Sequence, residues 1–328
     1  MNKTIKAYKV LKTRYNQIRP ILQYGLVKDG TITLIDLDIS ISMPCDIKSD
    51  KPFLLHIPTL ETAIKLGLKN IKYDPQKNKL VGGIGMSINH SFESIEDFPI
   101  IDMKLKNFTD AGTHTIFIKY KDVFKVAMAT SKEESRYSLN GIAFYSNGTI
   151  CATDGRRLHI VGKLPPTNES PIILPSKLAK LLKSLKYDGC LSFNMKEDMA
   201  TISGEDFDIS IRAIAGKFPD IRAVIPKQKQ PLSIPVSEIL PILKTIKKSW
   251  KKDDLNAVKF NGAVSWNNIT FPIKTPEDMD HKYSFQFLLD AIEVTGAEFL
   301  TFPSDNTKPI KIEHDGIMAI VTPMLVVE

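Results

Sequence analysis

The sequence predicts an α+β protein of three similar domains, each with two helices on one side of an antiparallel sheet. Three observations lead there. The first is a repeat: a set of markers recurs in the same order at a spacing of about 118 residues, as expected of one structural unit used more than once. Arg19-Pro20-Ile21-Leu22 is echoed by Arg136-Tyr137-Ser138-Leu139, and Gly30-Thr31-Ile32 through Asp36 by Gly148-Thr149-Ile150 through Asp154. Ile57-Pro58 is echoed by Leu174-Pro175, and Phe98-Pro99 by Phe218-Pro219. The second is periodicity, which switches within each unit from helical spacing to strand alternation and back. The third is size. A chain of 328 residues with 43% apolar and 25% charged residues and no long Pro/Gly/Ser-rich tract divides into compact domains without flexible linkers. The predicted domains span residues 1–110, 111–228 and 229–328.

The first element is a helix with Ile5, Tyr8, Leu11 and Tyr15 on one side and Lys3, Lys6, Lys9 and Arg14 across from them. Gly25 through Ile35 follows as a hairpin with Asp29-Gly30 at its turn, and alternation then continues from Asp36 to Met43 as a half-buried strand. A second helix comes after Pro58, carrying Leu60, Ile64, Leu66 and Leu68. In the middle domain the opening helix spans Lys121 to Lys132. Its Val123, Val126, Ala127 and Thr130 face one way, and Lys121, Lys125 and Lys132 the other. Ile142 to Ile150 repeats the hairpin with Asn147-Gly148, and the helix after Pro175 sets Leu178, Leu181, Leu182 and Leu185 against Lys177, Lys180, Lys183 and Lys186. Short strands from Met199 to Ile202 and Phe207 to Ile214 close the unit. The third domain opens with a helix from Ser237 to Lys252, in which Ile239, Leu240, Leu243, Ile246 and Trp250 are buried and Lys244, Lys248, Lys251 and Lys252 form a basic flank. Pro241 is tolerated there if Ser237 is the N-cap, because the first amides of a helix have no partner to lose.

Charge narrows the partner. A net charge of +7 and a pI near 9.0 favour a polyanion. A lysine-rich helix face at the start of each domain suits phosphate contact, since lysines are mobile point charges that read no base sequence. Cys45, Cys151 and Cys190 are too dispersed for a disulfide framework or a zinc site, and read as incidental thiols in a reducing compartment. The N-terminal stretch lacks a secretory signal's apolar core, and no run of about 18 apolar residues occurs, so a cytoplasmic protein without a membrane partner is expected.

An enzyme finds little support. The six histidines show no metal-binding spacing, Val81-Gly82-Gly83-Ile84-Gly85 lacks the Lys-Ser/Thr of a phosphate loop, and there is no Gly-x-Ser-x-Gly elbow. Glu96-Asp97 and Asp253-Asp254 read as loop charge. No catalytic residue, metal ligand or cofactor is assigned. Two other readings stay open: a monomeric, non-specific DNA-binding module, and a metal-dependent DNA-processing nuclease with dispersed acidic ligands.

Four motifs in register carry a resemblance: Arg136-Tyr137-Ser138-Leu139-Asn140-Gly141, Ala152-Thr153-Asp154-Gly155-Arg156-Arg157-Leu158, Gly216-Lys217-Phe218-Pro219-Asp220-Ile221-Arg222, and Ile320-Val321-Thr322-Pro323-Met324. Together they resemble the bacterial DNA polymerase III β sliding clamp, most strongly from about residue 120 to 226 and near the C-terminus. The resemblance implies the DNA clamp fold and a homodimeric, head-to-tail ring whose basic helices face duplex DNA. Sheet would continue between the first domain of one subunit and the third of the other. It also implies a pocket taking short peptides from DNA polymerase and the clamp loader, at Leu139, Thr153, Gly155, Arg156, Arg157, Leu158, Pro219, Val224, Ile320, Val321, Pro323 and Met324. Tyr137 matches a position that touches DNA, with Arg136 beside it as a phosphate contact. Ser138, Arg156 and Ala223 depart from the family's usual tyrosine, histidine and arginine, as in a divergent, phage- or plasmid-borne copy with its own peptide preference.

Overall fold

In the computed structural model the described residues are 2–12, 18–47, 49, 51–83, 87–89, 94–99, 112–133, 135–227, 231–251, 256–275 and 279–324. The first third of the chain gives helix α1 (Asn2–Leu11), strands β1 (Tyr24–Lys28), β2 (Thr31–Ile35), β3 (Ile39–Pro44) and β4 (Phe53–His56), helix α2 (Ile57–Lys65), then β5 (Lys72–Asp74), β6 (Lys79–Val81) and β7 (Ser87–Asn89). The middle gives β8 (Thr113–Lys119), α3 (Tyr120–Ala127), β9 (Gly141–Phe144), β10 (Ile150–Thr153), β11 (Arg157–Val161), β12 (Ile172–Pro175), α4 (Lys177–Leu185), β13 (Asp188–Asn194), β14 (Met199–Ser203), β15 (Asp208–Arg212) and the short α5 (Ile221–Val224). The last third gives β16 (Leu232–Pro235), α6 (Val236–Ser249), β17 (Ala257–Asn261), β18 (Ala263–Trp266), β19 (Ile269–Lys274), β20 (His281–Ser284), α7 (Phe285–Thr295), β21 (Phe299–Phe302), β22 (Ile310–His314) and β23 (Ile317–Val321). Helix, four strands, helix, three strands is thus written three times, with a leading strand added in the second and third.

The chain folds into two compact units that do not follow those thirds. One comprises residues 1–121 and 174–214, the other 122–173 and 215–328, so each takes part of the middle third. In the first unit the strands run β4-β1-β2-β3-β15-β14-β13-β8, all antiparallel where register is defined, and β5-β6-β7 forms a separate small sheet. Helix α1 packs on β2 and β3 and against α2 and α4. Its Ile5, Tyr8 and Leu11 are buried while Lys3, Lys6 and Lys9 are exposed, which is the predicted division of faces. Tyr15 lies outside the described residues.

In the second unit the order β12-β9-β10-β11-β23-β22 repeats the first, with β16-β21 and β19-β18-β17-β20 beside it. Helix α7 packs on β11, β22 and β23, and α6 packs against α7. The core is aromatic at its centre, where Phe260, Tyr283, Phe285 and Phe302 are fully buried. Such rings remove large apolar areas from water, each contributing about 2–3 kcal/mol.

Three local expectations need correction. Asp29-Gly30 does make the predicted two-residue turn, with φ of 49° and 72° and Lys28 opposite Thr31. Asn147-Gly148 does not: Phe144 pairs with Ile150, leaving a five-residue loop. Asn147 instead uses its side chain, accepting from Thr149 N and donating to the carbonyls of Lys163 and Leu164, so its backbone is spared a left-handed turn. Helix α3 stops at Ala127 rather than Lys132, because Ser131 N–H turns to Leu139 C=O and Ser131 Oγ accepts from Glu133 N. Helix α6 starts one residue early, after Pro235, with Val236 N–H donating to Glu298 C=O. Pro241 therefore sits inside the helix and costs it one internal hydrogen bond, and Ser237 is not the cap.

Candidate functional site

The second unit contains a cleft of about 450 Å³ whose base is a strand junction. Strand β11 pairs with β23, Arg157 opposite Val321 and Leu158 opposite Ile320. Beyond the ladder, Thr322 holds the turn before β11 by donating both its N–H and its Oγ1 to Arg156 C=O, at 3.0 and 2.8 Å. Segments far apart in sequence thus form one floor, made by buried Leu158, Ile320 and Ile221. The wall is Pro219 and the run Ala223 to Lys227, with half-exposed Val224; Lys308 and Pro309 close the other side.

The turn between β10 and β11 is set by side chains. Asp154 Oδ1 accepts from Arg156 N at 2.9 Å and Arg157 N at 3.0 Å, and Thr153 Oγ1 donates to Arg157 C=O while accepting from Gly155 N. Gly155 has φ +86°, a left-handed backbone that favours glycine; a Cβ there would lie 3.1 Å from Arg136 Nη1, a contact the arginine side chain can relieve by shifting. The predicted sequence repeat has a structural counterpart: in the first unit Asp36 Oδ1 accepts from Asp38 N and Ile39 N at 2.8 Å, and its Oδ2 binds Lys177 at 2.5 Å.

Arg157 is committed inward. Its Nε binds Asp154 Oδ2 at 3.0 Å, its Nη1 binds Asp290 on α7, and its guanidinium lies 4.4 Å from the Phe287 ring centroid. Asp220 caps α5 by accepting from Arg222 N, and Arg222 donates to Pro165 C=O, which fixes the Phe218-to-Arg222 wall. Under the site His159 is fully buried, with Nδ1 3.2 Å from Lys125 C=O and no bonded partner for Nε2 among the described residues; burial pushes its pKa down to about 4.

Eight of the predicted pocket residues line this cleft: Thr153, Gly155, Arg156, Arg157, Leu158, Pro219, Val224 and Ile320. Val321 does not. Strand alternation turns it into the core beside Phe302, opposite in sense to Ile320. Leu139, Pro323 and Met324 also lie off the lining; Leu139 C=O accepts from Ser131 N, and Met324, 40% exposed, donates its N–H to Lys282 C=O. Sequence reasoning missed Ile221, Ala223, Ile225, Pro226, Lys227, Lys308, Pro309 and Thr322. The signal for Lys308 and Pro309 was Asp315-Gly316, whose positive φ values of 47° and 72° close the β22–β23 hairpin and bring the chain before Ile310 back to the end of β23.

The predicted DNA-facing residues divide. In the first unit Lys3 is paired with Asp206 and Lys9 with Glu61 at 2.8 Å, while Lys6 and Lys121 are exposed. In the second, Lys132, Lys244, Lys248 and Lys251 are exposed, Lys125 is half-buried, Arg136 pairs with Glu133, and Tyr137 is 71% exposed. Arg14 lies outside the described residues. Among those described, no group of three His, Cys, Asp or Glu side chains could hold a metal, and no helix is long and apolar enough to cross a membrane.

Comparison with known proteins adds the family context. Residues 119–220 match the family model for the central domain of the DNA polymerase III beta subunit. The beta sliding clamp of Chlamydia muridarum is 27% identical over 176 residues, 51% of this chain and 47% of that protein, so the match spans about half of this relative's length. The DNA polymerase III beta subunit of Thermotoga maritima superposes with a TM-score of 0.77 at 19% identity, over 99% of this chain and 97% of that one. A Bartonella birtlesii sliding clamp bound to griselimycin gives 0.72 at 19%, over 99% and 98%. All three kinds of comparison converge on bacterial-type DNA polymerase III beta clamps, and the chain has their fold.

Proposed function

We propose that this chain is a DNA polymerase processivity factor: a homodimeric ring around duplex DNA that tethers DNA polymerase and the clamp loader through short peptides seated in the cleft, and that catalyses no reaction itself. One observation carries the reading beyond likeness. The four-strand set β4-β1-β2-β3 ends on β3, which pairs with β15; the equivalent set β12-β9-β10-β11 ends on β11, which pairs with β23. The third set, β20-β17-β18-β19, ends on β19, which has no strand partner on its outer side among the described residues. The counterpart of β15 and β23 in the first third is β7, whose outer side likewise has none. Pairing β19 of one copy with β7 of another satisfies both edges, and doing so twice closes two chains head to tail.

The three-domain division at residues 110 and 228 is supported by the threefold element order. Exposed lysines on α3 and α6 supply sequence-blind grip, weak enough to permit sliding once the ring supplies retention. The pocket assignment rests on eight of its proposed residues gathering round one apolar cleft. Light scattering tests the assembly: a mass twice the chain's 36.8 kDa is expected, and a single-chain mass at micromolar concentration contradicts it.

A further inference from the structure

Among the described residues, the charged side chains lining the cleft have one sign: Arg156, Arg157, Lys227 and Lys308 line it, and no aspartate or glutamate does. Arg157 is neutralised by Asp154 and Asp290 and belongs to the floor. The other three stand at the mouth. Arg156 is exposed, yet its backbone is held on both sides, N–H by Asp154 and C=O by Thr322, so its side chain starts from a fixed point. Lys227 is exposed and follows Pro226. Lys308 has its nearest carboxylate among the described residues, Asp305, at 4.0 Å, the outer limit of an ion pair. Between these cations lies an apolar floor that would otherwise accept any leucine or isoleucine.

We propose that the cleft selects short peptides in which an apolar pair is flanked by aspartate or glutamate, with Arg156, Lys227 and Lys308 as the residues that set this preference. The proposal rests on the reading of the cleft as a peptide site and states the class of peptide it takes. Apolar side chains give affinity with little discrimination, whereas charges at a rim reject like charge and favour its opposite. An added basic residue in the peptide would meet three cations, of which only Lys308 has a carboxylate, Asp305, within 4.0 Å among the described residues.

The test is selection from a random dodecapeptide display library on three proteins: the unmodified chain, Val224→Trp, which fills the cleft from an exposed position, and the charge-reversed R156E/K227E/K308E. All four substituted positions are solvent-accessible, and light scattering confirms unchanged assembly. Peptides that bind the unmodified chain but not Val224→Trp are cleft ligands. These are expected to carry acidic residues beside the apolar pair, to weaken about tenfold when two carboxylates become amides, and to give way to lysine- and arginine-flanked peptides on the charge-reversed protein. Cleft ligands without acidic enrichment, or the same set from the charge-reversed protein, overturn the preference and leave the peptide site standing. Recovery of no peptide sensitive to Val224→Trp overturns the peptide site, and the preference with it.

Discussion

Arg157 illustrates how a residue identified through a motif acquires a different physical role in the fold. Its guanidinium serves Asp154, Asp290 and the Phe287 face, so it sets the cleft's shape from below. Nothing in the local sequence announces Asp290, which lies more than a hundred residues downstream. Substituting Asp290→Asn leaves a largely buried cation with one carboxylate, and urea unfolding is expected to register a loss of about 2–3 kcal/mol; a change below about 0.5 kcal/mol would mean the pair is solvated. His159 gives a pH signature. Its proton is disfavoured in the fold but accepted near pH 6.5 in the unfolded chain, so acid favours unfolding. Its contribution is complete above pH 6.5 and declines as the pH falls toward about 4, by up to about 3 kcal/mol. The stability difference between the natural chain and His159→Leu should therefore change over that window; parallel pH profiles would contradict a buried neutral imidazole. Val321 shows where the sequence is blind: the motif contains both it and Ile320, but only strand pairing decides which faces the cleft.

At the scale of elements, patterns that depend on neighbours in sequence were legible. The buried stripe of α1 and the Asp29-Gly30 turn follow from spacing and backbone preference alone. The Asn147 loop and the early end of α3 were not, because carbonyls from distant segments compete for their polar groups. Ion pairing likewise refines the basic helices. Lys3 and Lys9 are matched to carboxylates in the fold, whereas Lys244 and Lys248 project from the exposed side of α6. Binding to short linear duplex should thus lose about one to two units of salt slope in Lys244→Ala/Lys248→Ala. Lys3→Ala/Lys9→Ala should lose less, since those cations already have partners. The reverse order, read from anisotropy titrations across salt concentrations, would assign the grip to α1.

For the molecule as a whole, the repeat was the most readable feature and the closure the least. Markers such as Gly30 to Asp36 and Gly148 to Asp154 recur because both turns need an aspartate that accepts two successive backbone amides. The edges β7 and β19, unpaired among the described residues, leave no comparable mark, since an open edge is defined by what the rest of the fold fails to supply. Ile269, half-exposed at the start of β19, is the accessible probe of that edge. Ile269→Asp is expected to weaken self-association at least tenfold, about 1.4 kcal/mol or more, with light scattering moving toward the single-chain mass on dilution; an unaltered dilution profile would exclude β19 from the interface. Whether DNA is held by encirclement is tested by trapping. The protein is mixed with linear duplex, both DNA ends are then blocked with bulky adducts, and bound protein is counted at high salt before and after an internal cut. Encirclement predicts protein that survives the salt and leaves when the cut frees an end. Protein stripped by salt while both ends are blocked would contradict it.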